Sequence, residues 1–145
     1  MYKNILTAVD GSAHGAAVLD AAASLAKLTG GRVHVIHIRA SEIIAAGLTG
    51  GTVVPVEETT AGRQVLDEAL ARLRADGITA DGEVDEGMRH DLAAILVERA
   101  EALGSDLIAV GPGHYSGISG LLHTSVSQGV ARTSPVSVLL VHDAA

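Results

Sequence analysis

The stretch from Gly111 to Ser127 concentrates the residue types best suited to chemistry. Glycines stand at 111, 113, 117 and 120, hydroxyls at Ser116, Ser119, Thr124, Ser125 and Ser127, and imidazoles at His114 and His123. Glycines let backbone N–H groups converge on an anion, and a helix opening just after such a loop adds unpaired N–H groups and a positive dipole end. Ser125 and Ser127 can add hydroxyl donors, so the chemistry on offer is phosphate binding. Gly111-Pro112-Gly113 runs on into His-Tyr-Ser, which is not a dinucleotide fingerprint. Nor is the segment a P-loop, because the only lysines are Lys3 and Lys27. Pro112 removes one N–H donor. Read without a ligand, the same segment is a strand-to-helix connection, and both readings stand on the residues alone.

Other chemistries find weaker support. The chain has 7 histidines. His34 and His37 are an odd step apart on a predicted strand, so they face opposite ways and do not share an ion. His37 reads as a strand histidine with its polar atoms satisfied. His114 and His123 lack an Asp, Glu or Cys within 111–124 to complete a metal site, and none is assigned. No Gly-x-Ser-x-Gly elbow is present, and Ser116 and Ser119 beside His114 are turn formers, so no catalytic residue is assigned. Arg89 stands where a helix opens after a strand; it reads as solvated, with phosphate contact as the alternative.

Composition narrows the function classes. The chain of 145 residues reads as one domain over 1–145, and 48% hydrophobic residues suffice for a core. That core is built from Ala, Val, Ile and Leu, since Phe and Trp are absent and Tyr2 and Tyr115 are the only aromatics. Cys is absent, which removes disulfides and thiolate chemistry and fits a reducing compartment. The opening apolar run, Ile5 to Val9, is too short for a signal peptide, and no stretch is long enough to span a membrane. A cytoplasmic protein is expected. A net charge of −7 and the lack of stacking surfaces argue against nucleic acid as a partner.

Alternating elements must position these residues. Lys3–Val9, Arg32–Arg39, Leu107–Val110 and Val136–Val141 are apolar enough for buried parallel strands. Ile78–Val84, with Asp81, Gly82 and Glu83, is a polar strand suited to a sheet edge. Helices are predicted at His14–Thr29, Glu57–Ala75, Asp91–Leu103 and Ser125–Arg132, with Gly30, Gly77 and Gly104 as stops. Glu57 and Glu58 suit the positive end of the second helix, and Arg72 and Arg74 its negative end. Ala40–Val56, which holds Gly47, Gly50, Gly51 and Pro55, reads as a long, partly ordered loop over the mouth of the site. The order calls for a parallel α/β sheet covered on both faces, with ligands beyond the carboxyl ends of the strands. Asp10, Ile38 and the loop after Val110 lie at such ends.

Tyr2 to Ser12 is similar to the opening strand and turn of the universal stress protein family. Val35-Ile36-His37-Ile38 resembles their second strand, and Ser105 to Gly111 their fourth strand with the glycine after it. Gly117, Leu121-Leu122, Ser125-Val126-Ser127 and Ser134-Pro135-Val136 continue the resemblance in register. It implies a Rossmann-like, adenine-nucleotide-hydrolase-like fold with a five-stranded parallel sheet in order 3-2-1-4-5. It also implies a nucleotide site at Ala8, Val9, Asp10, Ile38, Gly111, Gly113, His114, Gly117, Thr124, Ser125, Val126 and Ser127. Asp10 would face ribose and adenine, Ile38 would line the adenine, and Gly111 with residues 125–127 would frame the phosphates.

The family's Gly-x-x-Gly, nine residues, Gly-Ser/Thr pattern is incomplete here. Its second glycine position is His114 and its third is Thr124. His tolerates a positive φ better than β-branched Thr. The resemblance thus implies a stress-response regulator with a degenerate nucleotide-binding loop, acting by ligand or partner binding and requiring no cofactor. ATP or another adenine nucleotide with Mg²⁺ is the implied ligand, with ATP weakly held or absent. The alternative is a slowly ATP-hydrolysing stress switch. A homodimer paired through Val136–Val141 is also implied.

Overall fold

Ile5, Leu6, Val33, Val35, Ile36 and Ile108 are each 1% exposed or less, and all lie on three adjacent strands. This buried sheet centre is why those runs read as continuously apolar. The computed structural model describes residues 1–11, 13–45, 51–55, 59–88, 91–112 and 126–142.

The elements in chain order are β1 (Asn4–Ala8), α1 (Ala13–Thr29), β2 (Arg32–Ala45), β3 (Gly51–Pro55) and α2 (Thr59–Ala75). Then come β4 (Ala80–Met88), α3 (Leu92–Ala102), β5 (Leu107–Val110), α4 (Val126–Thr133) and β6 (Ser137–Leu140). Five strands are parallel in the spatial order β4-β2-β1-β5-β6, the expected arrangement. Residues alternate between two cores. Ile5, Val33 and Val35 pack with Leu19 and Ala22 of α1 and Leu66 and Leu73 of α2. Leu6, Ile36 and Ile108 pack on the other face with Leu96 and Ala100 of α3 and Val130 of α4.

Polar strand β4 lies at an edge, paired with β2. Asp81 bonds Arg32 at 2.7 Å and His34 at 2.9 Å. Burial pushes the Asp81 carboxyl up, but the His34 and Arg32 bonds and charges outweigh it and hold the group below the usual aspartate range. Arg99 of α3 bonds Asp85 through Nε at 3.0 Å, and that carboxylate with Glu83 raises its pKa further. Gly82 permits close packing here: a Cβ would stand 2.4 Å from the Val35 carbonyl oxygen. At the far end of β1, the Asp106 carboxylate accepts N–H bonds from Lys3 at 2.9 Å and Asn4 at 3.0 Å.

One expectation is corrected. The Ala40–Val56 segment is not simply a loop: β2 continues to Ala45, and Gly51–Pro55 forms β3, which pairs with it antiparallel from Ser41↔Pro55 to Ala45↔Gly51. The physical reason is two β-branched runs, Ile43-Ile44 and Thr52-Val53-Val54, that favour extended backbone on either side of a glycine-bearing connection. β4 likewise runs past Val84 to Met88, following the longer β2. Among the described residues no helix is long and apolar enough to cross a membrane.

Candidate functional site

β1 ends at a clamp. The Val9 N–H donates to the Ile36 carbonyl at 3.0 Å, and the Val9 carbonyl accepts from Nδ1–H of His37 at 2.7 Å. A carbonyl can only accept, so this bond places a proton on Nδ1. His37 is 2% exposed. The chain then leaves the sheet on the side of α2. Gly11, with φ +80°, sits where an added Cβ would come within 3.0 Å of Val65 Cγ2. A left-handed turn with so little room suits glycine.

β1 and β5 stop level with each other, because Thr7 pairs Ala109 and Ala8 pairs Ile36. Continuing the registers, Gly111 falls across from Val9, and Ile38 across from Asp10. Ala8, Val9, Asp10, Ile38 and Gly111 therefore meet at the carboxyl ends of three neighbouring strands. A Cβ on Gly111 would lie 3.3 Å from Val18 Cγ2, so the strand passes close over α1. β6 is parallel to β5, so α4 between them runs back, and its first residues, Val126 and Ser127, stand on the same carboxyl side. Ser127 is buried. Gly129 seats α4 tightly on α3, since a Cβ there would be 2.6 Å from Ala93 Cβ.

Along β2 the sheet has a notch. Ser41 pairs with Met88 of β4 and with Pro55 of β3. A strand residue has one neighbour on each edge, so β3 occupies the edge opposite β4, which is the β1 edge. Between the end of β1 and the end of β3, the backbone of Ile38 faces that edge with no strand paired to it among the described residues. From His37 to Ser41 is four steps, about 13 Å at ~3.3 Å per residue. Because the Ile36 carbonyl points to β1, the N–H and C=O of Ile38 point to the same edge, into the notch.

Gly113, His114, Gly117, Thr124 and Ser125, together with Arg89, Glu57 and Glu58, lie outside the described residues. His34 and His37 do face opposite ways, His34 toward Asp81 and His37 toward Val9. Among the described residues no group of three or more His, Cys, Asp or Glu could hold a metal ion. What the site offers is main-chain hydrogen bonding at Ile38, a carboxylate at Asp10 and a helix N-terminus at Val126. The sequence reading missed two contributors, the His37 clamp and β3. A histidine beside Ile38, the residue expected to line an adenine, was the available signal for the first.

Residues 1–142 match the profile of the Universal stress protein family. The chain belongs to that family. This universal stress protein is 30% identical to Universal stress protein YxiE of Bacillus subtilis (strain 168), over 97% of its own length and 99% of that protein's. Its fold is similar to a universal stress protein crystallised in complex with cAMP, with TM-score 0.74, 25% identity and 97% of each chain covered. It also resembles the universal stress protein from Archaeoglobus fulgidus, with TM-score 0.71 and 23% identity over 97% and 99% of the two chains.

Proposed function

We propose that this universal stress protein is a single-domain, cytoplasmic regulator that binds an adenine nucleotide without turning it over. The observation that carries the reading is the notch: one N–H and one C=O from Ile38 face an edge, above the ends of β1 and β5, to which no strand is paired among the described residues. That pair is complementary to the N1 acceptor and N6–H donor of adenine. In this reading Asp10 serves the ribose hydroxyls, and Gly111 with the start of α4 at Val126 and Ser127 serves the phosphate. The structural relative crystallised with cAMP supports an adenine nucleotide as the ligand class.

The phosphate side is degenerate, with His114 and Thr124 at glycine positions and no Lys or Arg in residues 111–124. A cyclic or single phosphate therefore suits it better than a triphosphate. The regulator acts as a homodimer paired through β6, whose outer edge has no partner strand among the described residues. Titration calorimetry with cAMP, AMP and ATP, each with and without Mg²⁺, tests the reading. Binding of a mononucleotide tighter than ATP is expected. No binding of any of the three overturns it, and ATP hydrolysis lost on Asp10→Ala would establish the enzymatic alternative.

A further inference from the structure

We infer that β3 is the roof of the base site, and that it makes the protein reject adenines carrying a substituent on N6. The inference rests on the proposed adenine site and adds the element that limits what enters it. The decisive observation is the double pairing of Ser41. Met88 lies on one edge and Pro55 on the other, so β3 stands in line with β1, above the notch.

The direction of β2 orients the base. Along a strand each residue's N–H precedes its C=O, so at Ile38 the donor lies toward the end of β1 and the acceptor toward β3. Adenine pairing with both must put N1 toward Val9 and its N6 amino group toward Pro55. N6 has two hydrogens; one goes to the Ile38 carbonyl and the other points at the roof. The backbone of β3 is held by pairing along five residues of β2, from Ser41 to Ala45, so it is a built wall. The floor is equally fixed, with Val9 held by both Ile36 and His37.

The test compares AMP with N6-benzyl-AMP by titration calorimetry. It uses the wild-type chain, a variant with residues 42–54 replaced by a short glycine–serine linker, and Thr52→Pro/Val53→Pro. In the double variant one of the two adjacent N–H groups must face β2, so pairing is disrupted whichever it is. Wild type is expected to bind N6-benzyl-AMP at least about tenfold more weakly than AMP, and the gap should shrink to about twofold in both variants. Equal wild-type affinity for AMP and N6-benzyl-AMP, or a gap that persists in both variants, overturns the roof and leaves the adenine site standing. Failure of wild type to bind AMP or cAMP at all overturns the adenine site and the roof together.

Discussion

Nδ1 of His37 donates a 2.7 Å hydrogen bond to the main-chain carbonyl of Val9. The bond replaces the next rung of a ladder that β1 has just left, and it fixes the turn that carries Asp10. Leaving a buried carbonyl without its donor costs roughly 1–3 kcal/mol. His37→Leu is therefore expected to lower stability by about that amount in urea unfolding, with His37→Gln, which keeps a donor, recovering part of it. Equal stability of wild type and His37→Leu would show that the clamp contributes nothing.

The parallel sheet was legible because its strands are buried on both faces, so Ile5-Leu6 and Leu107-Ile108 read as uninterrupted apolar runs. Strand β4 was legible for the opposite reason, its Asp81 and Glu83 being tolerable only at an edge. The hairpin of β2 and β3 was not, because each arm past Arg39 is a few β-branched residues set among Gly and Pro, and the punctuation outweighed the propensity. Asp10, Ile38 and Gly111 could be placed by the rule that ligands lie beyond strand carboxyl ends. The His37–Val9 bond could not, since it depends on where β1 stops relative to β2.

Asp106 gives a pH-dependent contribution. Burial pushes its carboxyl up, but N–H bonds from Lys3 and Asn4 outweigh that, and its folded pKa lies below the ordinary 3.8. A depressed folded value stabilises the protein above the unfolded pKa, and that stabilisation is lost as pH falls through the folded value. Asp106→Asn should thus be less stable than wild type at pH 7, by at most about 1 kcal/mol for so exposed a carboxylate, with the gap closing as pH falls below 3.8 and through the folded value. A gap that stays constant in urea titrations carried from neutral pH to well below 3.8 would refute this.

Gly129 sets helix propensity against packing. Gly to Ala inside a helix ordinarily gains up to ~1 kcal/mol. Here the new methyl would stand 2.6 Å from Ala93 Cβ, and overpacking costs roughly 1–3 kcal/mol. Packing wins, so Gly129→Ala should destabilise, and Ala93→Gly added to it should restore most of the loss. A stabilised single variant would mean that α4 stands further from α3 than the structure places it.

The proposed dimer can be tested without touching the sheet interior. Val141 N–H bonds the Val110 carbonyl, so by alternation the N–H groups of Ser137 and Leu139 face β5 and those of Val138 and Leu140 face outward. Val138→Pro removes an outward donor and leaves the β5–β6 ladder intact. Light scattering should give a wild-type dimer at micromolar concentration and a monomeric Val138→Pro that keeps its unfolding midpoint. A monomeric wild type would refute pairing through β6.

ATP should bind weakly or not at all, and Thr124 should be more responsible than His114. His accepts a left-handed backbone more readily than a β-branched residue, so at a glycine position His114 is expected to be tolerated better than Thr124. A glycine in such a loop also admits close approach of phosphate, which the Thr methyl would obstruct. Each charge-assisted amide–phosphate bond lost is worth ~1.5–3 kcal/mol, or about one to two decades of affinity. Residues 111–124 supply no Lys or Arg to compensate, and a net charge of −7 adds no long-range attraction. Calorimetry with ATP and Mg²⁺ should therefore show little binding below roughly millimolar concentration. Thr124→Gly should recover more affinity than His114→Gly, because it alone removes a β-branched side chain from a glycine position of the family pattern. Micromolar ATP binding by the unaltered chain, or a larger gain from His114→Gly, would defeat the steric account and favour a working nucleotide switch.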